Sequence, residues 1–467
     1  MVSNHLSLGD ELFFEGNECL EAGDDSGAER CFREALTIDP DFVEALANLG
    51  WLRERAGAVE EAEVCYRQCI AIRPDILQPY LSFGVLLMNL RRFVEAEAVY
   101  RQALLADPDS PAVWSNLGVL LACLKREEEA EDCYRTAIQL DATYAKAQFN
   151  LSYILLRQGR FEEGWRCLEA REWYGRLTQY FTCPRWRGES LAGRSVLIGF
   201  EAGHGDMIQF CRYAIVLKHM GAALVSLACH PGLKALFASV SGVDEVLSFE
   251  DDIPASGWDF WTPPLSLPHH CQTRLDSIPA PIPYLKADPV KSAQWFRTLP
   301  RAKSLVGLAW QGNPQFENDA YRSLPSLDWL APLGSVQGIQ WVSLQKGKGE
   351  EEARHPPLGL DLLALGSELE DFADTAAVVD CLDLVISVDT AVAHLAGALG
   401  KPCWVMLPDY RADWRWLAAR LDSPWYPSNM RLFRQSGEGS WAPVIGKVVE
   451  ALENWVKERD TVEHDSF

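Results

Sequence analysis

Two short stretches of the chain gather residue types that handle protons and phosphates. The first is "SVDTAVAHLAGALG", where Asp389 and Thr390 precede a run of small residues and His394 follows one turn later. The apolar run Asp383–Val388 reads as a strand, so Asp389 and Thr390 fall at its carboxyl end with a helix opening behind them. A helix start exposes unpaired backbone N–H groups at the positive end of its dipole, and both attract anions. Ala391 and Ala393 leave room for a phosphate, the Thr390 hydroxyl can donate to it, and so can His394. A helix cap at Asp389 beside a satisfied core histidine is the competing reading.

The second stretch is "FEAGHGDMIQFCRY", Phe200–Tyr213. Gly203 and Gly205 permit a tight turn and a close approach by a ligand. Asp206 then stands at a helix start, aimed at the strand end, where it can take a proton from a hydroxyl nucleophile. A glycine turn with an ordinary helix cap competes with this reading. Two more polar loops follow apolar runs. In "LAWQGNPQFENDAYRS", Arg322 can neutralise a departing phosphate, with a surface ion pair as the alternative. In "SLQKGKG", Gln345 or Lys346 can meet a nucleoside, with a plain mobile loop as the alternative.

These loops need a scaffold that presents strand ends at one edge. Strands are predicted at Ser195–Glu201, Ala223–Cys229, 244–249, Ser304–Trp310, Ile339–Gln345, Asp383–Val388 and Cys403–Pro408. Helices alternate with them, including one over Met207–Met220 and a final amphipathic helix. Such alternation implies parallel sheets covered on both faces, in two Rossmann-like halves with the site between their strand ends.

The first third has another period. Gly16, Gly50, Gly84 and Gly118 recur every 34 residues, as do Ala28, Ala62, Ala96 and Ala130, and Phe32, Tyr66, Tyr100 and Tyr134. Pro40, Pro74 and Pro108 keep the same step. This pattern matches the tetratricopeptide repeat, an α-solenoid of paired helices. The small residues let the two helices of a repeat approach, and the aromatic is expected to fill the groove between neighbouring repeats. A degraded fifth unit covers about Ala145 to Arg171, with Ser152 in place of the first Gly and Gly164 in place of Ala. The concave face of such an array suits a polypeptide partner. Residues 1–173 hold 17 Lys and Arg against 31 Asp and Glu, which favours a neutral or basic segment over an acidic one.

Five regions follow: 1–173 repeats, 174–192 linker, 193–290 acceptor-side half, 291–440 nucleotide-side half, and 441–467 a terminal helix and tail. A formal net charge of −23 argues against nucleic acid or an anionic membrane as partner. The thirteen scattered cysteines, without a CxxC pair, read as free thiols of a reducing compartment. No leader pattern opens the chain and no apolar run reaches about 18 residues, so a cytoplasmic location without a membrane span is expected.

With "WQGNP…YRS", "VSLQK", "DFADTAAVV", "DWRW" and "SPWYPSNMRLFRQ", the chain resembles bacterial tetratricopeptide-repeat glycosyltransferases. Their catalytic part is similar to the ADP-heptose:lipopolysaccharide heptosyltransferases, of GT-B fold, and several such proteins modify flagellin on Ser or Thr. The resemblance implies Asp206 as catalytic base, and Asp389, Thr390 and His394 as the donor-phosphate motif. Where relatives commonly read E-Q-G-x-G-D, this chain has Ala202 and His204, and His204 is a second candidate for proton transfer. The implied donor side comprises Asp389, Thr390, Ala391, His394, Arg322, Gln345, Lys346 and Asn313; the acceptor side comprises Gly203, Gly205, Gln209 and Arg212. The implied reaction is a metal-independent, inverting transfer from a nucleotide-sugar to a protein hydroxyl, with no other cofactor and no metal site. A lipopolysaccharide or lipid-linked acceptor is one alternative, and a non-catalytic scaffold or chaperone is another. The terminal helix is expected to cross back to the first half. The tryptophans of "DWRW" and "SPWYP" read as core.

Overall fold

A computed structural model describes residues 7–279, 282–300, 303–437 and 439–464. Residues 1–6, where the leader reading begins, and the tail beyond 464 lie outside the described residues. The chain divides into two compact units, Met1–Ile154 and Leu155–Phe467.

The first unit is built of antiparallel helix pairs: Leu8–Glu21 with Asp25–Ile38, Val43–Arg55 with Val59–Ile72, Leu77–Asn89 with Phe93–Ala106, and Pro111–Cys123 with Glu127–Leu140. Each repeat glycine faces the aromatic of its own repeat. A Cβ added at Gly16 would stand 2.6 Å from the Phe32 ring, at Gly50 2.9 Å from Tyr66, and at Gly118 2.6 Å from Tyr134; Gly84 abuts Tyr100 in the same way. The aromatic therefore closes its own helix pair, and Tyr66 also meets the next repeat, its ring 6.3 Å from that of Phe83, as the groove-filling expectation has it. Ala28, Ala62, Ala96 and Ala130 are fully buried on the second helices. Arg92 pairs with Glu63, and one repeat later Arg126 pairs with Glu97 at 2.7 Å. The acidic array thus absorbs part of its charge in periodic ion pairs, which water screens at the surface.

The boundary falls inside the helix Ala145–Arg157, ahead of residue 173. The reason is the next helix, Phe161–Leu168, whose Trp165 is buried within the second unit. Its Nε1 donates to the Thr273 carbonyl at 3.0 Å, and its ring meets Trp414 edge-on at 5.2 Å. The degraded fifth repeat spends its apolar face there. The linker follows suit: Leu177, Phe181 and Trp186 are buried, and Phe181 lies 5.4 Å from Trp261.

Two parallel sheets form the rest of the second unit. The first has the order β3-β2-β1-β4, from β1 (Ser195–Ile198), β2 (Leu224–Cys229), β3 (Glu245–Ser248) and β4 (Phe260–Thr262). The second has the order β10-β9-β8-β5-β6-β7, from β5 (Ser304–Ala309), β6 (Ile339–Ser343), β7 (Leu362–Ala364), β8 (Leu384–Val388), β9 (Cys403–Leu407) and β10 (Met430–Arg434). Every residue of β6, β8 and β9 is buried, as strands covered on both faces require. This is the expected α/β architecture of GT-B type. The sequence reading missed β4, β7 and β10, and it took as one helix what is two, His204–Phe210 and Tyr213–His219.

The helix Ala442–His464 packs Val444, Ile445, Val448 and Leu452 against the second sheet's core, beside Trp341, Leu384 and Leu333. Arg459 pairs with Asp383 at 2.7 Å. This corrects the expected crossing to the first half: the apolar face of the helix is spent on its own half.

Candidate active site

The polypeptide leaves β1 through a turn whose strain falls at Ala202, with φ of 60°. Gly203 has φ of −90°, a value open to any residue, so the turn does not need glycine there. The Gly203 N–H donates to Asp206 Oδ2 at 2.8 Å, so the carboxylate closes the turn at the start of the helix His204–Phe210. Gly205 is required by approach. A Cβ there would stand 2.9 Å from His394 Cδ2 and 3.5 Å from Ala391 Cα. The two helix starts singled out in the sequence therefore touch, one from each half.

The second start follows β8. Thr390, rather than Asp389, is the N-cap residue of the helix Ala391–Ala398, and its side chain caps none of the first-turn N–H groups. Its hydroxyl shares a hydrogen bond with Ser387 Oγ at 3.0 Å. Asp389 is buried, and that burial, then the charge of Asp413, pushes its carboxyl up to about 6 against the pull of Arg322. His394 is 5% exposed. Its Nδ1 lies 2.9 Å from the Tyr426 hydroxyl, and its ring stacks on Trp416 at 5.2 Å and 20°. Burial, then Arg415, Arg212 and Arg322, hold its pKa well below the usual imidazole range, so the ring is neutral.

Arg322 sits over the Phe316 ring at 4.3 Å and pairs with Asp319 at 3.5 Å. Its buried Nε has no hydrogen-bond partner. Asp389 and His394 at the helix start both feel its charge.

Other expected residues are placed differently. Gln345 is buried, with Oε1 accepting from Trp310 N at 2.9 Å and Gln311 N at 3.0 Å, and Nε2 donating to the Gln311 and Lys348 carbonyls. It clamps two strand-end loops together and has no free face for a nucleoside. Lys346 donates to the Gly366 carbonyl at 2.7 Å. Asn313 is exposed, and its Oδ1 accepts from Gln315 N at 3.0 Å. Gln209 and Arg212, expected on the acceptor side, are 0% and 1% exposed and belong to the interior. They start the helix-to-helix break, where Arg212 Nε donates to the Gln209 carbonyl at 2.8 Å. His204 lies half-buried between the rings of His230 at 4.5 Å and Phe372 at 5.2 Å. Burial and His230 lower it to about 4, which leaves it a weak base.

The sequence reading missed Arg415 altogether. From the turn Trp414–Trp416 its guanidinium reaches Asp206 Oδ1, Gln209 Oε1 at 2.6 Å and Asp413 at 2.9 Å. Trp414, Trp416 and Trp425 are buried as expected, while Arg415, between the first two, and Tyr426, next after the third, reach the site. The only sequence signal was a charged residue and a phenol set among core tryptophans.

The comparisons with known proteins agree with this architecture. A family model described as tetratricopeptide repeat matches residues 15–75 and 81–145. One described as glycosyltransferase family 9 (heptosyltransferase) matches residues 341–405, which include Asp389, Thr390 and His394. Protein FlbA of Caulobacter vibrioides is 28% identical over 328 residues, covering 64% of this chain and 53% of the relative. The chain thus spans about half the length of the curated relative it matches. Among solved structures, MamA of Desulfovibrio magneticus RS-1 is 17% identical over 37% of this chain and 97% of its own, with a TM-score of 0.31. Pseudomonas aeruginosa pilF is 17% identical over 45% and 85%, with a TM-score of 0.36. Stretches of the chain thus match tetratricopeptide repeats and, further on, glycosyltransferase family 9, an order consistent with a tetratricopeptide-repeat glycosyltransferase. Among the described residues, no helix is long and apolar enough to cross a membrane.

Proposed function

We propose that this protein transfers a sugar from a nucleotide-sugar to a hydroxyl of a protein acceptor held by the repeats, with Ser or Thr of a flagellin as the acceptor class. The observation that carries the reading is the contact between the two helix starts, Gly205-Asp206 against Ala391 and His394. One supplies a carboxylate and the other supplies anion donors. For a sugar to enter, the two starts must part.

In the proposed reaction the acceptor oxygen attacks the anomeric carbon as the bond from that carbon to the leaving phosphate oxygen breaks. Asp206 takes the hydroxyl proton. The phosphate leaves with the bonding electron pair and is stabilised by the N–H groups of the helix start, Thr390, His394 and Arg322, donors whose aim is set before the reaction. A single displacement inverts the anomeric centre. The proposed chemistry uses backbone and side-chain groups of the chain and asks for no metal.

The test is Asp206→Asn, assayed for transfer from a panel of nucleotide-sugars to flagellin and for nucleotide binding by thermal shift. The expected result is a fall in turnover of about 10²–10⁴-fold, with the nucleotide shift retained. Full turnover in the variant would discard Asp206 as the base. Transfer to protein-free acceptors, undiminished when the repeats are deleted, would replace the protein acceptor with a lipid-linked one.

A further inference from the structure

Arg212 is a buried guanidinium that, among the described residues, pairs with no carboxylate. Its donors go to the carbonyls of Gln209 at 2.8 Å, Trp425 at 2.8 Å and Pro279 at 3.3 Å, and to the Tyr284 hydroxyl at 2.9 Å. It lies over the rings of Tyr284 at 4.3 Å and Tyr426 at 4.9 Å. Burying a charge without a counter-ion is costly, so its placement calls for a reason.

The hydrogen bonds around it supply one. The guanidinium only donates, so Tyr284 accepts from it. Tyr284 then spends its own proton on the Ile208 carbonyl, an acceptor, at 3.1 Å. The Tyr426 oxygen, at 3.5 Å, is a second and more distant acceptor for that proton, so the proton of Tyr426 itself goes to His394 Nδ1 at 2.9 Å. The positive charge of Arg212 acts in the same direction, because it repels the hydrogen end of an O–H dipole pointed back towards it. With Nδ1 accepting, a neutral imidazole carries its single proton on Nε2. Nε2 has no hydrogen-bond partner among the described residues, and the Cδ2–Nε2 edge faces Gly205, with a Cβ there 2.9 Å from Cδ2 and 3.7 Å from Nε2.

We infer that Tyr426, its proton turned away from the Arg212 charge, is a positioning residue that holds His394 as the Nε2–H tautomer, so that the ring offers a hydrogen-bond donor at the junction of the two helix starts. The inference rests on the proposed function only for what the donor meets, a phosphate oxygen of the leaving group. A neutral N–H can bind that oxygen without a proton being gained or lost. It also gives Tyr426 of "SPWYP" a role beside its core tryptophan, and Arg212 one other than the expected acceptor side.

The test is long-range ¹H–¹⁵N correlation of the full chain labelled at histidine, with the His394 ring assigned by its loss in His394→Gln. The expected pattern is a protonated Nε2 and a bare Nδ1, constant between pH 8 and pH 6. Tyr426→Phe removes the donor to Nδ1, and the His394 signals should move towards a mixture of tautomers or invert. Tyr284→Phe removes a hydroxyl that accepts nothing from Tyr426 and should leave the pattern as it is. A protonated Nδ1 or an imidazolium at pH 7 in the wild-type chain overturns the inference without recourse to any variant, as does an unchanged pattern in a folded Tyr426→Phe chain. Adding inorganic pyrophosphate should shift Nε2 and spare Nδ1. An unmoved Nε2 in a ring of the expected tautomer would count against a phosphate at this helix start while the tautomer assignment stands.

Discussion

Arg415 grips Asp206, and so ties the helix start of the first half to the turn that follows β9 in the second. The carboxylate that the proposed reaction needs is thus occupied at one oxygen by a guanidinium and at the other by its own helix cap. Each oxygen keeps a lone pair, and Arg415 fixes the direction in which those pairs point. The pair is mostly shielded, with side-chain exposures of 9% and 21%, so water screens it weakly. Removing one partner leaves the other short of a counter-charge.

The first prediction therefore concerns coupling. Arg415→Met and Asp206→Asn should each lower the melting temperature of the full chain. The double variant should lose less than the sum of the two losses, by a coupling of about 0.5–3 kcal/mol. Additive losses would mean that the contact holds nothing together.

Gly205→Ala tests the touching helix starts. Its Cβ would stand 2.9 Å from His394 Cδ2, inside any normal carbon contact, and His394 is packed on Trp416 and cannot yield freely. The halves must part by a few tenths of an ångström at this point. The expected outcome is a loss of turnover of at least about tenfold, as misplacement at a reacting centre brings. The melting temperature should change little. The counterpart Gly118→Ala, facing the Tyr134 ring at 2.6 Å in the repeat array, should instead destabilise by about 1–3 kcal/mol, the usual cost of overpacking.

Asp389 sets a dependence on pH. Its carboxyl is pushed from the ordinary 3.8 up to about 6, chiefly by burial. Between those values the folded chain binds a proton that the unfolded chain has released. The stabilising contribution is thus present below about pH 4 and lost as the pH rises through 6. Asp389→Asn keeps the shape and removes the charge. Its melting temperature should exceed the wild-type value at pH 8 and match it at pH 4. A variant less stable than wild type at pH 8 would show that the ionised carboxylate is favoured where it sits.

Gln345→Ala separates scaffold from binding. The amide satisfies Trp310 N, Gln311 N and the Gln311 and Lys348 carbonyls. Leaving those groups unpaired should cost at least about 2 kcal/mol. Any nucleotide that shifts the wild-type melt should shift the variant melt by a similar increment. A lost nucleotide shift at unchanged stability would restore Gln345 to the donor side.

Much of this fold can be read along the chain because its determinants are local. The 34-residue recurrence of Gly and aromatic places each helix pair, since the contact it encodes, such as Gly50 with Tyr66, closes within one repeat. The strands β5, β6, β8 and β9 appear as apolar runs because both faces are covered. β4 and β7 have three residues each, too few for any pattern to show. β10 alternates only weakly as "MRLFR" and declares itself by pairing with β9. Ala202 carries the positive φ that the neighbouring glycines advertise, because the path of the loop, and not residue preference, decides where a turn bends.

By itself the sequence determined the repeat array, the parallel α/β halves and the two helix starts with their carboxylate and their imidazole. Each of these depends on residues near one another in the chain. Only the tertiary structure decided that Arg415 meets Asp206, 209 residues away, that Tyr426 meets His394, and that Gln209, Arg212 and Gln345 turn inward. A side chain's role follows from which partner satisfies it. For a buried polar group that partner is supplied by packing between distant segments, which no local pattern encodes.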